Sequence, residues 1–378
     1  MTNQTRNRPV SGIKTAMYSL IIVVLFFGVS ELALRLYDRY FRFSYLTYDA
    51  QHGRTALVPN ARVHTPREKV SISSKGFVGP EFNEKKPPGV IRIIAVGDSC
   101  TFAGGWYETT YSGVLSALLN ARSSTGRFEV LNAGVPGYNS EFALARLKDE
   151  LLQYQPDLVT IYVGWNDLMK INPANSSATD KHKPLWNLLN QSYLMKAYSK
   201  LIFFHLRPLV IKPKLDGDIE GSHAFDTFVP STFQENLEAM AATLKEHHVQ
   251  ALFVTLPVVV RLRMTQDDLD RNHVFFPYYA GAYSLEKFLS LHRSYNTVIK
   301  RVAARNQIAF VDLDAIFNQR NKDELFYDTI HLSDAGNRLV AESLVEPIER
   351  MSDNISKNTS STEYISPAGD MSPLQMQR

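Results

Sequence analysis

Cysteine is almost absent from this chain: there is one, Cys100, in 378 residues. A lone thiol excludes an internal disulfide, a paired redox motif and a cysteine-rich metal site. It does not fix the compartment, since a disulfide-free chain suits the cytoplasm and an exported domain alike. Charge of one sign is also lacking. Lys and Arg number 41 against 38 Asp and Glu, a formal net charge of +3. No basic stripe interleaved with aromatics appears, so no nucleic-acid partner is expected. No His, Asp and Glu cluster has metal-ligand spacing, and Gly104-Gly105 is not followed by the Gly-Lys-Ser/Thr of a phosphate loop. No internal repeat is visible. With 44% apolar and 21% charged residues, the composition is that of an ordinary globular protein.

Long apolar runs are missing too, with one exception. After Arg6, Arg8 and Lys14 the chain carries no charge from Thr15 to Ser30. Extended to Leu36, the stretch reaches about 20 residues, roughly 30 Å as a helix and enough to cross a bilayer. Tyr37, Tyr40, Phe41 and Phe43, mixed with Arg35, Arg39 and Arg42, resemble an interfacial belt. Residues 1–14 then form a short basic tail, 15–36 a transmembrane anchor and 37–88 a juxtamembrane connector with short strands near Lys69 to Ser73. The basic leader favours a cytoplasmic N-terminus and an extracytoplasmic domain beyond the span. Gly28-Val29-Ser30 is also an acceptable signal-peptidase site, which keeps a cleaved signal as the rival reading.

From residue 89 the pattern changes. Val90 to Val96 is a β-branched apolar run, as expected of a strand buried on both faces. Similar runs follow at Phe128 to Asn132, Leu158 to Val163, Ala251 to Leu256 and Ile308 to Val311. Helical patterns separate them: Ser112 to Ala121, Glu141 to Tyr154, Phe233 to His247, Leu285 to Arg305, and Ser333 to about Glu349. This alternation predicts a doubly wound α/β domain with a parallel sheet over residues 89–350. It is interrupted at 168–231, an insert whose segment Leu185 to Ile211 mixes apolar residues with Lys196, Lys200 and Arg207. That segment reads as a helical cap or an amphipathic, membrane-facing element. Residues 351–378, rich in Ser, Asn, Thr, Pro and Met, read as a disordered tail.

Short motifs stand where these strands end. Gly97-Asp98-Ser99 follows the first and Asn132-Ala133-Gly134-Val135-Pro136-Gly137 the second. Gly164-Trp165-Asn166-Asp167 follows the third, and Asp328-Thr329-Ile330-His331 lies between the fifth and the last helix. In an open parallel sheet ligands bind beyond the carboxyl ends of the strands, so these residues are expected to converge. A serine needs a base within hydrogen-bond reach, oriented by a third group. His331 can be that base, and Asp328 can accept its Nδ1 proton. The Ser99 and Gly137 backbone N–H groups and the Asn166 side-chain amide are candidate donors to an oxyanion. Gly134 is the alternative to Gly137. Asp98 is expected to hold its turn, Trp165 to line the crevice or pack beneath it, and His247, His248 and His292 to be surface or packing residues. Each motif alone is a common turn; their joint occurrence in this order carries the reading.

Together the motifs resemble the blocks of the SGNH (GDSL-type) hydrolase superfamily, over roughly residues 89–348, and the anchored N-terminus is similar to its membrane-tethered bacterial members. The resemblance implies a flavodoxin-like three-layer α/β/α fold with a five-stranded parallel sheet. It also implies ester hydrolysis through an acyl-enzyme without a metal or other cofactor. By motif position Ser99 corresponds to the nucleophile, Asp328 and His331 to its partners, and Ser99, Gly137 and Asn166 to the oxyanion hole. Cys100 stands where the family name has leucine. The expected substrate is an ester of an envelope lipid or acylated carbohydrate. An O-acyltransferase on an envelope polysaccharide and a non-catalytic glycan-binding scaffold are the alternatives. Nothing in the sequence indicates an oligomeric state.

Overall fold

The computed structural model describes residues 12–41, 45–64, 69–123, 127–169, 192–201, 228–275 and 285–362. The first element is a long helix, α1 (Gly12–Phe41). Its stretch Lys14–Tyr37, 24 residues, is long and apolar enough to cross a membrane and is not buried within the chain. Leu20, Ile22, Phe26 and Val29 all point outward, an arrangement that water would penalise and a bilayer would not.

Two small antiparallel hairpins follow, β1 (Leu46–Asp49) with β2 (Arg54–Leu57), and β3 (Arg62–His64) with β4 (Lys69–Ser71). The short strand expected near Lys69 to Ser73 is β4, and the region packs more closely on the domain than a connector need do. Leu57, Val63, Val70, Ile72, Phe77 and Val78 are buried in the same core cluster as the central sheet. Val78 bridges to Asn132 at the edge of that sheet, which covers an otherwise open strand. The other strands, of three or four residues, carry too little periodicity to be read from sequence.

The sheet itself has five parallel strands: β5 (Val90–Gly97), β6 (Arg127–Asn132), β7 (Leu158–Tyr162), β8 (Gln250–Val254) and β9 (Ala309–Val311), in the order β6-β5-β7-β8-β9. Each lies within two residues of the run that predicts it. Helices α2 (Ser99–Phe102), α3 (Tyr111–Arg122), α4 (Ser140–Arg146), α5 (Trp165–Met169), α6 (Tyr193–Leu201), α7 (Ser231–Glu246), α8 (Gln266–Arg271), α9 (Leu285–Arg305), α10 (Leu313–Asn318) and α11 (Asp334–Thr362) are interleaved with them. The predicted helix from Glu141 to Tyr154 is regular only as far as Arg146, then widens into a π-turn over Leu147–Leu151. At the break the buried Arg146 guanidinium leaves the helix to reach the carbonyls of Ala133 and Gly76. The last helix runs past residue 350 to Thr362, so the expected tail begins later than its composition suggests. The buried Ser352 donates to Ile348 O one turn back, and Gln250 Nε2 donates to Met351 O, which ties this turn of the helix to β8. Of the insert 168–231, only its two ends and α6 lie within the described residues; the rest of that region, and residues 1–11 and 363–378, lie outside them.

Candidate active site

In this strand order the chain starts at β5, adds β6 on one side and returns to add β7 on the other. The crevice of such a sheet opens at that reversal, above the carboxyl ends of the strands. Ser99 leaves β5 there, Gly137 follows β6 and Asn166 follows β7. The sheet thus gathers three sequence-distant motifs, and hydrogen bonds between them, such as Val135 N to Gly97 O at 3.2 Å, fasten them there.

Ser99 opens the short helix α2. Asp98 caps it, its carboxylate accepting from Cys100 N at 2.9 Å. As the first helical residue, Ser99 has a backbone N–H with no acceptor inside the helix. Cys100 points inward, fully buried, with Sγ 3.5 Å from Ile330 O. Burial pushes its thiol well above the ordinary range, aided by the nearby Asp98 and Asp328 carboxylates. Cys100 is therefore a packing residue that joins the serine turn to the loop bearing His331.

That loop is a tight reversal. Tyr327 N donates to His331 O at 2.8 Å, and Phe326 bridges to Leu332. Asp328 sits at its head, where Oδ1 accepts from the backbone N–H groups of Ile330 (3.0 Å) and His331 (2.9 Å). Its other oxygen faces His331 Nδ1 at 2.8 Å, and His331 Nε2 faces Ser99 Oγ at 2.9 Å. A carboxylate can only accept, so Nδ1 carries the imidazole proton and Nε2 is left to accept from the Ser99 hydroxyl. Burial opposes a charge on His331, but the Asp328 carboxylate, its hydrogen bond and the more distant Asp98 outweigh it and raise the imidazole above its usual value. Burial likewise works against the Asp328 charge, and His331 together with the two backbone donors holds that carboxyl below its usual value. Both side chains remain part-exposed, at 30% and 24%, which leaves the line of groups reachable from solvent.

The two glycines of the second motif sit differently. Gly134 donates its N–H to Asn132 Oδ1 at 2.9 Å, and an added Cβ there would lie 2.3 Å from Phe102 N. Its amide is spent inside the fold. Gly137 lies on the exposed side of the turn Val135-Pro136-Gly137-Tyr138, closed by Tyr138 N to Val135 O at 3.2 Å. Proline and then glycine at the two central positions is the pattern of a type II turn, which needs positive φ at the glycine. Gly137 has φ +84°, and a Cβ there would meet nothing within 4 Å.

Asn166, the second residue of α5, is half-buried, with one amide hydrogen donated to Tyr138 O at 2.9 Å. An asparagine amide has two hydrogens, so this contact orients the group and spends one of them. It also ties the third motif to the second. Asp167, next in sequence, accepts from Ser140 N (2.8 Å) and Ser140 Oγ (2.6 Å) and so fastens α5 to α4. Burial pushes its carboxyl up to about 6. Trp165 packs beneath the crevice, fully buried and stacked on His292 with centroids 5.5 Å apart. His292 is itself buried and bonded to Leu256 O, while His247 and His248 are exposed.

Two features of the site have no sequence signal. Asp98 is wholly buried, and its second carboxylate oxygen, Oδ2, has no hydrogen-bond partner by geometry. Burial pushes the carboxyl up to about 6 against the pull of the Cys100 amide and the His331 charge. The hairpins also reach the site: Tyr45 stacks on Phe102 of α2 at 4.9 Å, and Tyr138 Oη donates to Thr55 O at 2.7 Å. The segment from 45 to 64 therefore props up both the serine turn and the turn of Gly137.

Among solved structures, the acetyl xylan esterase AlAXEase superposes with a TM-score of 0.42 at 21% identity, covering 68% of this chain and all of that one. An acetylxylan esterase from Geobacillus stearothermophilus gives 0.41 at 16% identity, over 68% and 93% of the two chains. A lipase/acylhydrolase from Enterococcus faecalis gives 0.40 at 20% identity, over 68% and 95%. No curated protein sequence matches the chain. The family model of the GDSL-like lipases and acylhydrolases matches residues 95–339, which contain all five of Ser99, Gly137, Asn166, Asp328 and His331. The chain belongs to this family, the SGNH hydrolases, and is an ester-bond hydrolase.

Proposed function

We propose that the chain hydrolyses carboxylic esters through Ser99, His331 and Asp328, acting on an acylated component of the cell envelope, a lipid or an acetylated glycan. The observation that carries the reading is the unbroken line from Asp328 Oδ2 to His331 to Ser99 Oγ, with links of 2.8 and 2.9 Å. In this mechanism His331 Nε2 takes the Ser99 proton as Oγ attacks the ester carbonyl. The tetrahedral oxyanion is held by Ser99 N–H, Gly137 N–H and the second amide hydrogen of Asn166. His331 then passes its proton to the leaving alcohol, which departs as the acyl-enzyme forms. Water, deprotonated by the same imidazole, attacks the acyl carbon, and collapse of the second intermediate returns the proton to Ser99 and frees the acid.

The envelope assignment rests on α1. With Arg6, Arg8 and Lys14 before the span, the N-terminus is assigned to the cytoplasm and the hydrolase domain to the far side of the membrane. A fluorophosphonate probe tests the nucleophile directly. It should label the wild-type chain at one serine and leave Ser99→Ala unlabelled, with hydrolysis of p-nitrophenyl acetate lost in parallel. Labelling that survives in Ser99→Ala would overturn the assignment. Product analysis with an acetylated glycan then separates hydrolysis from transfer: free acetate supports the reading, and acetyl passed to a sugar hydroxyl contradicts it.

A further inference from the structure

The apolar span is interrupted by one acidic residue, Glu31, which the hydrolytic chemistry does not use. Between Lys14 and Glu31 the helix rises about 26 Å, so in a bilayer the carboxylate lies near the far edge of a hydrocarbon layer of about 30 Å. A charge at that depth has to be paired. Its partners come from the insert, more than 160 residues away. Glu31 Oε1 accepts from Tyr193 N at 3.0 Å, and Oε2 accepts from Leu194 N at 2.8 Å and from Ser192 Oγ at 2.8 Å. These are the first amides of α6, the donors that a helix cannot satisfy internally. Arg35, one turn further along α1, bonds Glu31 Oε1 at 2.8 Å and lays its guanidinium 5.2 Å over the Tyr193 ring. A residue of the span thus serves as the N-terminal cap of a helix in the catalytic domain.

Burial follows the same line. Along the described span, Ser30, Glu31 and Leu34 are half-covered, one face at helical spacing, while nearly all other positions are exposed. On α6, Tyr193, Leu194, Met195 and Ala197 are half-covered, whereas Tyr198 and Leu201 remain exposed at 53% and 48%. The Glu31 bonds put the start of α6 at the level where the span ends, and Tyr198 and Leu201 are the apolar side chains that α6 leaves exposed among its described positions. The insert containing α6 leaves the fold from α5, which carries Asn166, and returns at α7, whose Phe233 ring packs against Gly164.

We infer that Glu31 clamps α6 to the anchor and that α6 lies in the headgroup layer of the bilayer, with Tyr198 and Leu201 directed into lipid. The clamp makes α1 a retained part of the enzyme and not a removable leader, because cleavage after Ser30 would leave Glu31 on a frayed terminus. It also seats α6 at the membrane surface, between α5 and α7 in the chain. The inference rests on the membrane reading of α1 and is independent of the hydrolytic chemistry.

The test uses the full chain reconstituted in phosphatidylethanolamine/phosphatidylglycerol vesicles. Amide hydrogen exchange is followed over residues 192–201 in the wild type, Glu31→Gln and Glu31→Ala. Glu31→Ala should speed exchange at Tyr193 and Leu194 by about tenfold, the loss of one cap, more than at Met195, whose N–H donates to Ser192 Oγ at 3.2 Å, and with β5 and β7 unaffected. Glu31→Gln keeps one accepting oxygen and should fall between the two. In a Tyr198→Trp variant, lipids brominated near the glycerol should quench the indole emission. Exchange in Glu31→Ala identical to the wild type would overturn the clamp, and unquenched indole emission would overturn the headgroup placement. Release of the wild-type chain by alkaline carbonate would instead overturn the anchor itself. None of these readouts depends on turnover.

Discussion

If Asp328 works by fixing the His331 tautomer, then Asp328→Asn should nearly abolish turnover while leaving the fold in place. The amide oxygen of the new side chain can still accept from the Ile330 and His331 N–H groups, now 3.0 and 2.9 Å from Asp328 Oδ1. Its NH₂ then faces His331 Nδ1, a donor where the wild type has an acceptor. The imidazole must turn its lone pair to Nδ1 and its proton to Nε2, where it meets Ser99 Oγ and can no longer accept. Two losses combine. With charge centres about 4 Å apart and an effective dielectric near 20, the carboxylate stabilises the imidazolium by about 4 kcal/mol, about 10³ in rate. The wrong tautomer carries the total to about 10⁴. The assay is kcat for p-nitrophenyl acetate at pH 8, beside a thermal melt to confirm that the variant is folded. A folded Asp328→Asn enzyme that keeps more than about a tenth of wild-type kcat would refute the role, because neither loss could then be in force.

Asp98 should govern the acid limb of the pH–rate profile. Its charge helps to raise the His331 imidazole, so Asp98→Asn should move that limb of kcat/KM to lower pH, and an unchanged or higher limb would contradict this. The same substitution should change stability with a defined sign. The Asp98 carboxyl is raised from 3.8 to about 6 in the fold, so the native state holds its proton while the unfolded chain releases it, and stability falls as pH rises between these values. Relative to the wild type, Asp98→Asn should therefore gain up to about 3 kcal/mol at pH 8 and nothing from this source at pH 3, as read by urea denaturation. Asn166→Ala should lower kcat by about 10² to 10³ with little change in KM; an effect confined to KM would mean that Asn166 only binds substrate. Gly137→Ala should cost about 1–2 kcal/mol of stability, the strain of a side chain in the left-handed region. A cost above about 4 kcal/mol would contradict the open space found around its Cβ position.

The legible parts of this protein were those with a repeated pattern. β5 and β7 are mostly apolar, broken only by Arg92 and Thr160, because both faces of the sheet are covered, and Leu285 to Arg305 carries an amphipathic period over 21 residues, so its bounds could be read directly. The motif residues were legible for a different reason. In a parallel sheet the end of every strand faces one crevice, and residues at those ends need no contact pattern of their own to be brought together. Of the hairpins of residues 46–71 only β4 was legible, since each strand offers three or four residues. The Glu31 cap was not legible either. A lone acid at the end of an apolar run reads as the edge of a span, and its partners lie on a helix that begins at Tyr193. Sequence favoured Gly137 over Gly134 by motif position alone and gave no sign that the Asn132 side chain takes the Gly134 amide and, at 2.7 Å, donates to Thr101 O.

That last contact is one of several on the serine turn, and together they hold a common triplet in one position against His331. Asn132 holds Thr101 from the β6 side. Cys100 Sγ reaches Ile330 O from beneath and sets how closely the His331 loop can approach. Tyr45 stacks on Phe102 from the hairpin side. Each brace comes from a different part of the chain, and none is encoded in Gly-Asp-Ser. The separation of 2.9 Å between Ser99 Oγ and His331 Nε2 is thus a product of packing at positions that never touch the reacting atoms. A constellation held this way is preorganised, which is what stabilising a transition state requires. Larger apolar side chains at Cys100 would act through the same brace. They would lift the loop off the serine and lower kcat without touching any residue of the site, and the buried thiol is small enough to let the loop close.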